Sequence, residues 1–198
     1  MTVTYKDVLE FWFDELTPKD WFTGGEEIDV LIKTRFSELH KVAVQGELFE
    51  WRQTAEGRLA EIIVLDQFSR NIGRNSPAAF SADPMALALA QEAVAGGFEH
   101  QLNEQQKSFL YMPYMHSESL LVHQQAVELF SQTGLEHNLD FEFKHKVIID
   151  RFGRYPHRNE VLGRASTPEE VEFLIPTRSN PSLNSVVYLV SDHGEMMW

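Results

Sequence analysis

The stretch that decides the fold is LAEIIVLDQFSRNI, residues 59–72, whose apolar side chains cover nearly every side of a helix. At about 100° of rotation per residue, Asp66 and Arg70 fall one turn apart on the same face as Leu59. A helix that is apolar almost all round packs in the centre of a protein rather than at its surface. The sequence therefore predicts a buried central helix that carries an acid and a base.

A buried carboxylate and a buried guanidinium are costly unless they are paired and hydrogen-bonded. The spacing of Asp66 and Arg70 allows them to pair along the helix. One such pair leaves several polar atoms without partners, so other polar groups are expected around it.

The remaining sequence predicts an all-α protein with one helical domain over residues 1–175. A chain of 198 residues is long enough for one well-packed core and short for two. Helical segments of moderate length alternate with short turns, which favours a stack of antiparallel helix pairs. Residues 176–198 differ, because they include SVVYLV and are expected to form an irregular or strand-like tail.

Several helix boundaries follow from local signals. Thr4 with Asp7 three residues later has the spacing of a capping box. A second helix is expected over about residues 27–45. Asp83 before a proline is interpreted as a helix cap, and Pro113 is expected to break or kink its helix.

Composition and charge exclude several classes of protein. A net charge of −13 disfavours a nucleic-acid binder, because phosphate contacts need a basic surface. The chain has no cysteine, which suits a reducing compartment and excludes thiolate metal sites. The N-terminal segment resembles no signal peptide, and no apolar run approaches the length of a membrane span. A cytoplasmic protein without a membrane segment is expected.

Three stretches combine polar side chains with apolar neighbours, namely residues 65–71, 109–118 and 151–159. The candidate ligand-binding residues in and beside these stretches are Asp66, Arg70, Asn71, Tyr111, His116, Glu118, Arg151, Arg154, His157, Arg158 and Arg164. Guanidinium groups bind carboxylate or phosphate oxygens with two parallel hydrogen bonds. Because arginines outnumber the acids nearby in the sequence, the stretches are predicted to converge on a pocket for an anion.

Three functions stay open at this point. The first is a binding module for a small anionic ligand or the acidic end of a peptide. The second is an enzyme acting on a phosphate- or carboxylate-bearing molecule, with His116 or His157 as the acid–base. The third is a structural or partner-binding protein whose polar network only specifies the fold.

A metal or cofactor site has weaker support. His116 and Glu118 lie two residues apart, but the chain contains no HExxH motif and no calcium-binding loop. His123 is expected at the surface. The phosphate-binding and dinucleotide-binding glycine motifs are also missing, so neither a metal nor a cofactor is predicted.

The sequence also resembles a known family through the motifs VLEFWF, LDQFSRNI, FLYMPYMHSE, RFGRYPHRN with LGR, and STPEEVEFL. These motifs resemble the bacterial domain-of-unknown-function family numbered nine-two-four, over about residues 8–174. The resemblance implies a tetratricopeptide-like superhelix and implies no reaction. The chain departs from the family pattern at residues 24–27 and in the tail after residue 175.

Overall fold

The structure is a computed structural model that describes residues 3–175, apart from the side chains of residues 22 and 23. The helices are α1 (Tyr5–Glu10, continued by the π-helical Phe11–Glu15), α2 (Pro18–Thr23), α3 (Glu26–Val44), α4 (Ala55–Ile63, continued by the π-helical Val64–Phe68 and by Ser69–Ile72), α5 (Asp83–Ala95), α6 (Glu104–Met115), α7 (Leu120–Phe130), α8 (Glu136–Phe152) and α9 (Pro168–Leu174). Short 3-10 turns cover Phe49–Gln53, Pro77–Ala79, Phe98–Gln101 and Pro156–Arg158. No strand lies within residues 3–175, so the predicted all-α class is confirmed.

The central position of α4 is also confirmed. Residues 59–70 are all buried, and α4 packs against α1, α3, α5 and α6. Phe68, at the end of the π-helical segment, contacts the rings of Phe11, Trp12 and Phe36. The main apolar core is therefore built around this helix.

The π-helical segment in α4 carries Asp66 itself. A π turn is wider than an α turn, and such single turns inside α-helices are frequent at functional sites. Side chains on the two sides of this segment no longer follow a single α-helical face. The simple helical spacing of Asp66 and Arg70 therefore does not decide how they pair.

Two helix predictions need correction. Pro113 does not break its helix, since α6 continues through it to Met115, and the alternative of a kink stays a prediction. Asp83 is the first residue of α5 rather than its cap, because Ala82 occupies the capping position. The capping box of Thr4 and Asp7 is confirmed, with the Thr4 amide donating to Asp7 Oδ2 at 2.7 Å.

Successive helices pack on one another in the second half of the chain. Helix α5 contacts α6, α6 contacts α7, and α7 contacts α8. This arrangement is compatible with the predicted stack of helix pairs, although the tetratricopeptide-like repeat stays a prediction. The predicted tail, residues 176–198, lies outside the described residues. Among residues 3–175, every helix is too short or too polar to cross a lipid bilayer.

Candidate functional site

The polar centre of the protein is the carboxylate of Asp66, which is 1% exposed. His116, at the end of α6, places its Nδ1 atom 2.8 Å from Asp66 Oδ1. Gln67 donates from Nε2 to Asp66 Oδ2 at 2.6 Å. The first and second polar stretches of the sequence therefore meet inside the core.

The charge state of Asp66 follows from these neighbours. Burial alone would raise the pKa of Asp66, but the charge and hydrogen bond of His116 and the charge of Arg70 outweigh it and hold the pKa below its usual value. An ionised Asp66 accepts a hydrogen bond from the Nδ1–H of His116 and so fixes the orientation of the ring. In a neutral imidazole with that orientation, Nε2 carries the free lone pair.

Arg70 is buried beside Asp66, but its main partner is a different acid. Its Nη1 and Nη2 atoms donate to the two carboxylate oxygens of Asp83, at 2.6 and 2.9 Å, and Nη1 also contacts the carbonyl oxygen of Ala79. Arg70 Nη2 lies 3.8 Å from Asp66 Oδ1, beyond hydrogen-bond distance. The predicted pair with Asp66 is thus a charge contact, and Asp83 supplies the hydrogen bonds.

Arg158 comes from the third polar stretch and reaches the same acid. Its Nη1 atom lies 3.4 Å from Asp83 Oδ2, and its guanidinium packs on the rings of Phe80 and Tyr155. Arg70 also packs on Phe80, at 4.8 Å from the ring centre. Burial and the nearby charge of Arg70 lower the pKa of Arg158. Asp83 and Phe80 therefore join two arginines that are far apart in the sequence.

These residues border a cleft with a volume of about 350 Å³. Its lining residues are Pro77, Phe80, Ser81, Asp83, Pro84, Leu87, Pro113, His116, Ser117, Glu118, Arg158 and Leu162. Two buried nitrogen atoms of this lining, His116 Nε2 and Arg158 Nε, have no hydrogen-bond partner among the described residues. Buried polar atoms are normally satisfied, so each such atom calls for a partner beyond the described residues.

Glu118 holds the edge of the cleft in place. It accepts two hydrogen bonds from Arg164, at 2.6 and 2.9 Å, and one from the amide of Tyr155 at 2.8 Å. Burial would raise the pKa of Glu118, but the hydrogen bonds from Arg164 and Tyr155 outweigh it and lower the pKa. Arg164 and Glu118 therefore tie the third polar stretch to the second without contributing a free charge.

A second group of polar contacts surrounds His123. The sequence prediction that His123 lies at the surface is wrong. His123 is fully buried rather than exposed. Its Nδ1 atom lies 2.7 Å from Glu142 Oε1, and its Nε2 atom lies 2.8 Å from the carbonyl oxygen of Ser117. The hydroxyl of Tyr155 donates to the carbonyl oxygen of Met115 at 2.5 Å. These contacts fix the backbone on both sides of His116.

Five of the predicted site residues lie elsewhere, and one of them, His157, lines a separate cavity. Asn71 donates to Asp29, and Tyr111 accepts from Gln132. Arg151 forms an ion pair with Glu169, and Arg154 forms one with Glu170.

The third stretch therefore does not supply the predicted excess of arginines. Around the cleft, three arginines face three carboxylates, namely Arg70, Arg158 and Arg164 with Asp66, Asp83 and Glu118.

Sequence reasoning missed Phe80, Asp83, Leu87 and Leu162. Asp83 was interpreted only as a helix cap, although buried arginines require counter-charges and an acid at a helix start is one source of them. Phe80, Leu87 and Leu162 had no distinguishing signal, because an apolar residue at a cleft resembles any other apolar residue in a sequence.

The described residues contain no group of three or more His, Cys, Asp or Glu side chains arranged to hold a metal ion.

Comparison with known proteins assigns the chain to a family. Residues 8–177 match the model of a family described as "Bacterial protein of unknown function (DUF924)". The chain belongs to this family. The DUF924 match confirms the resemblance inferred from the motifs.

One solved structure of similar fold is the protein of unknown function ATU0120 from Agrobacterium tumefaciens. It is 35% identical, with a TM-score of 0.82, and the match covers 86% of this chain and 96% of that one. No curated protein matches this DUF924 member. The comparisons therefore establish the family and the fold.

The ion pair of Glu170 with Arg154 predicts how the free energy of unfolding depends on pH. The hydrogen bonds from Arg154 are the largest cause that lowers the pKa of Glu170 from 4.5 to about 2. Because the pKa is lowered on folding, the stabilisation is complete above about pH 4.5 and is lost as the pH falls to about 2. We expect Glu170→Gln to lower the free energy of unfolding by about 2 kcal/mol at neutral pH and by progressively less below pH 4.5. Urea unfolding measured from pH 2 to 7 checks this.

The matched control is Glu169→Gln, since Glu169 pairs with Arg151 at the surface. An exposed pair of this kind contributes at most about 1 kcal/mol. Equal losses in the two variants, or a Glu170→Gln loss that does not change with pH, would contradict the prediction.

Proposed function

We propose that the cleft binds a small organic acid with an apolar body, which uses Arg158 as its cationic contact and exchanges a proton with His116. The observation that carries this proposal is the pair of buried nitrogen atoms, His116 Nε2 and Arg158 Nε, which have no partner among residues 3–175 although both side chains line the cleft. A bound carboxylate or phosphate oxygen is a suitable acceptor for the donor of Arg158.

The apolar lining residues and the volume of the cleft determine the apolar body and the size of the proposed ligand. Phe80, Leu87 and Leu162, together with three prolines, make up half of the residues that line the cleft. A volume of about 350 Å³ lies at the small end of the range for small-molecule sites. A single metabolite or the last residue of an acidic peptide fits this volume, whereas a long polyanion does not.

The balance of charges requires a role for His116. The three arginines around the cleft are already matched by three carboxylates. An incoming anion therefore adds an uncompensated negative charge in a site partly shielded from water. A proton on His116 Nε2 would supply the compensating charge, and Asp66 is placed to pair with the ring through Nδ1. Binding of the acid is thus expected to take up a proton.

The direct test is calorimetric titration with a panel of aromatic and aliphatic carboxylates, phosphate esters and acidic dipeptides. We expect at least one apolar acid to bind with uptake of a proton, read from the enthalpies in buffers of different ionisation enthalpy. Arg158→Met is expected to weaken that binding by roughly tenfold to a hundredfold, because it removes charge-assisted hydrogen bonds. Leu87→Trp is expected to abolish it by filling the cleft without changing a polar group.

The matched control is Arg151→Met, which removes an arginine of the same stretch that pairs with Glu169 away from the cleft. This variant is expected to bind as the wild type does. Failure of every acid in the panel, or wild-type affinity in Leu87→Trp, would overturn the proposal.

The second candidate function is acid–base catalysis at the same cleft. The specific observation in its favour is the hydrogen bond between a buried carboxylate and His116 Nδ1, which orients the ring and leaves Nε2 available. This is the arrangement in which a histidine serves as a general base. His116 Nε2 would take a proton from a bound molecule or a water, and the imidazolium would then return it to the product.

A screen of hydrolase and isomerase activities on carboxylate- and phosphate-bearing substrates tests this candidate. We expect any activity found to fall by about 10²-fold or more in His116→Asn, the usual contribution of a general acid–base. His157→Asn is the matched control, since His157 does not line the cleft. Activity that survives in His116→Asn would reject the assignment.

A further inference from the structure

A second, smaller cavity lies beside the cleft and shares Phe80 with it. Its volume is about 150 Å³, and its lining residues are Arg70, Arg74, Asn75, Ala79, Phe80, His157 and Val161. A water molecule occupies roughly 30 Å³ in the liquid, so the cavity has the volume of about five water molecules. It is too small for an organic metabolite and large enough for a compact ion.

Two buried nitrogen atoms in the lining of this cavity lack partners. Arg70 Nε and His157 Nδ1 make no hydrogen bond to any of the described residues. Arg70 is 2% exposed, and its other two guanidinium nitrogens are held by Asp83 and by the carbonyl of Ala79. Because a buried donor without an acceptor is destabilising, a guest that accepts hydrogen bonds would be stabilised here.

The charges around the cavity select the kind of guest. Its lining contains two guanidinium groups, an imidazole and an amide, but no carboxylate. Burial lowers the pKa of His157 well below its usual value, with further lowering by the charges of Arg158 and Arg70. The two carboxylates that pair with the arginines, Asp83 and Asp29, are outside the lining. The space itself is therefore bordered by positive charge and hydrogen-bond donors.

We propose that this cavity is a separate site for a small oxyanion of the size of inorganic phosphate, bound by Arg70 Nε and His157 Nδ1. The site goes beyond the cleft proposed above, which takes a larger acid and shares only Phe80 with this cavity. Arg70 then has two roles, since it holds Asp83 through its terminal nitrogens and binds the ion through Nε. His157 contributes its ring N–H as a neutral donor.

The test is a titration with inorganic phosphate, followed by nuclear magnetic resonance signals of the histidine rings. We expect saturable binding that shifts the His157 signals. Because Arg70 variants disturb the core, two other variants are used. Val161→Phe fills the cavity, and His157→Phe keeps an aromatic ring against Tyr155 while removing Nδ1. Each is expected to weaken phosphate binding at least about tenfold.

Leu87→Trp is the matched control, because it fills the cleft and leaves the small cavity untouched. It is expected to retain phosphate binding, and Val161→Phe is expected to retain binding of the organic acid. The phosphate site and the organic-acid site can therefore be tested independently. No binding of millimolar phosphate, wild-type affinity in both cavity variants, or loss of phosphate binding in Leu87→Trp would overturn the proposal.

Discussion

The constraint on which this structure depends is a carboxylate in the middle of an apolar core. Asp66 lies on a helix whose neighbouring residues are all buried, and an unpaired charge there would oppose folding strongly. His116 and Gln67 satisfy its oxygens, and Arg70 adds a compensating charge at 3.8 Å. Each of these partners is in turn fixed by other contacts. Asp66 is therefore the centre of a network of hydrogen bonds and ion pairs between residues that are distant in the sequence.

This network determines where the cleft lies and which chemistry it presents. Arg70 is drawn towards Asp83, which also meets Arg158, and both guanidinium groups pack on Phe80. The backbone around His116 is held on one side by Tyr155, which donates to the carbonyl oxygen of Met115, and on the other by His123, which contacts the carbonyl oxygen of Ser117. The polar groups of the cleft are therefore held by buried contacts, and such preorganisation favours selective binding.

The sequence predicted some of these features and not others, for physical reasons. Periodicity in residues 59–72 predicted the central helix, because burial on all sides leaves a clear apolar pattern. The grouping of Asp66, His116 and Arg158 followed from polar residues inside apolar stretches. The partners of Arg70, Arg154 and Arg164 could not be predicted, since an ion pair between distant segments leaves no local signal. The π-helical segment also changes the helical register, which no propensity in the sequence encodes.

The most direct test of the central claim is the protonation pattern of the His116 ring in the protein without ligand. Nitrogen chemical shifts from long-range ¹H–¹⁵N correlation distinguish Nδ1 from Nε2. If Asp66 orients His116, Nδ1 carries a proton, and Asp66→Asn alters that pattern. A neutral ring with its proton on Nε2 and a bare Nδ1 would contradict the account, because Asp66 would then lack the donor on which the rest of the network depends.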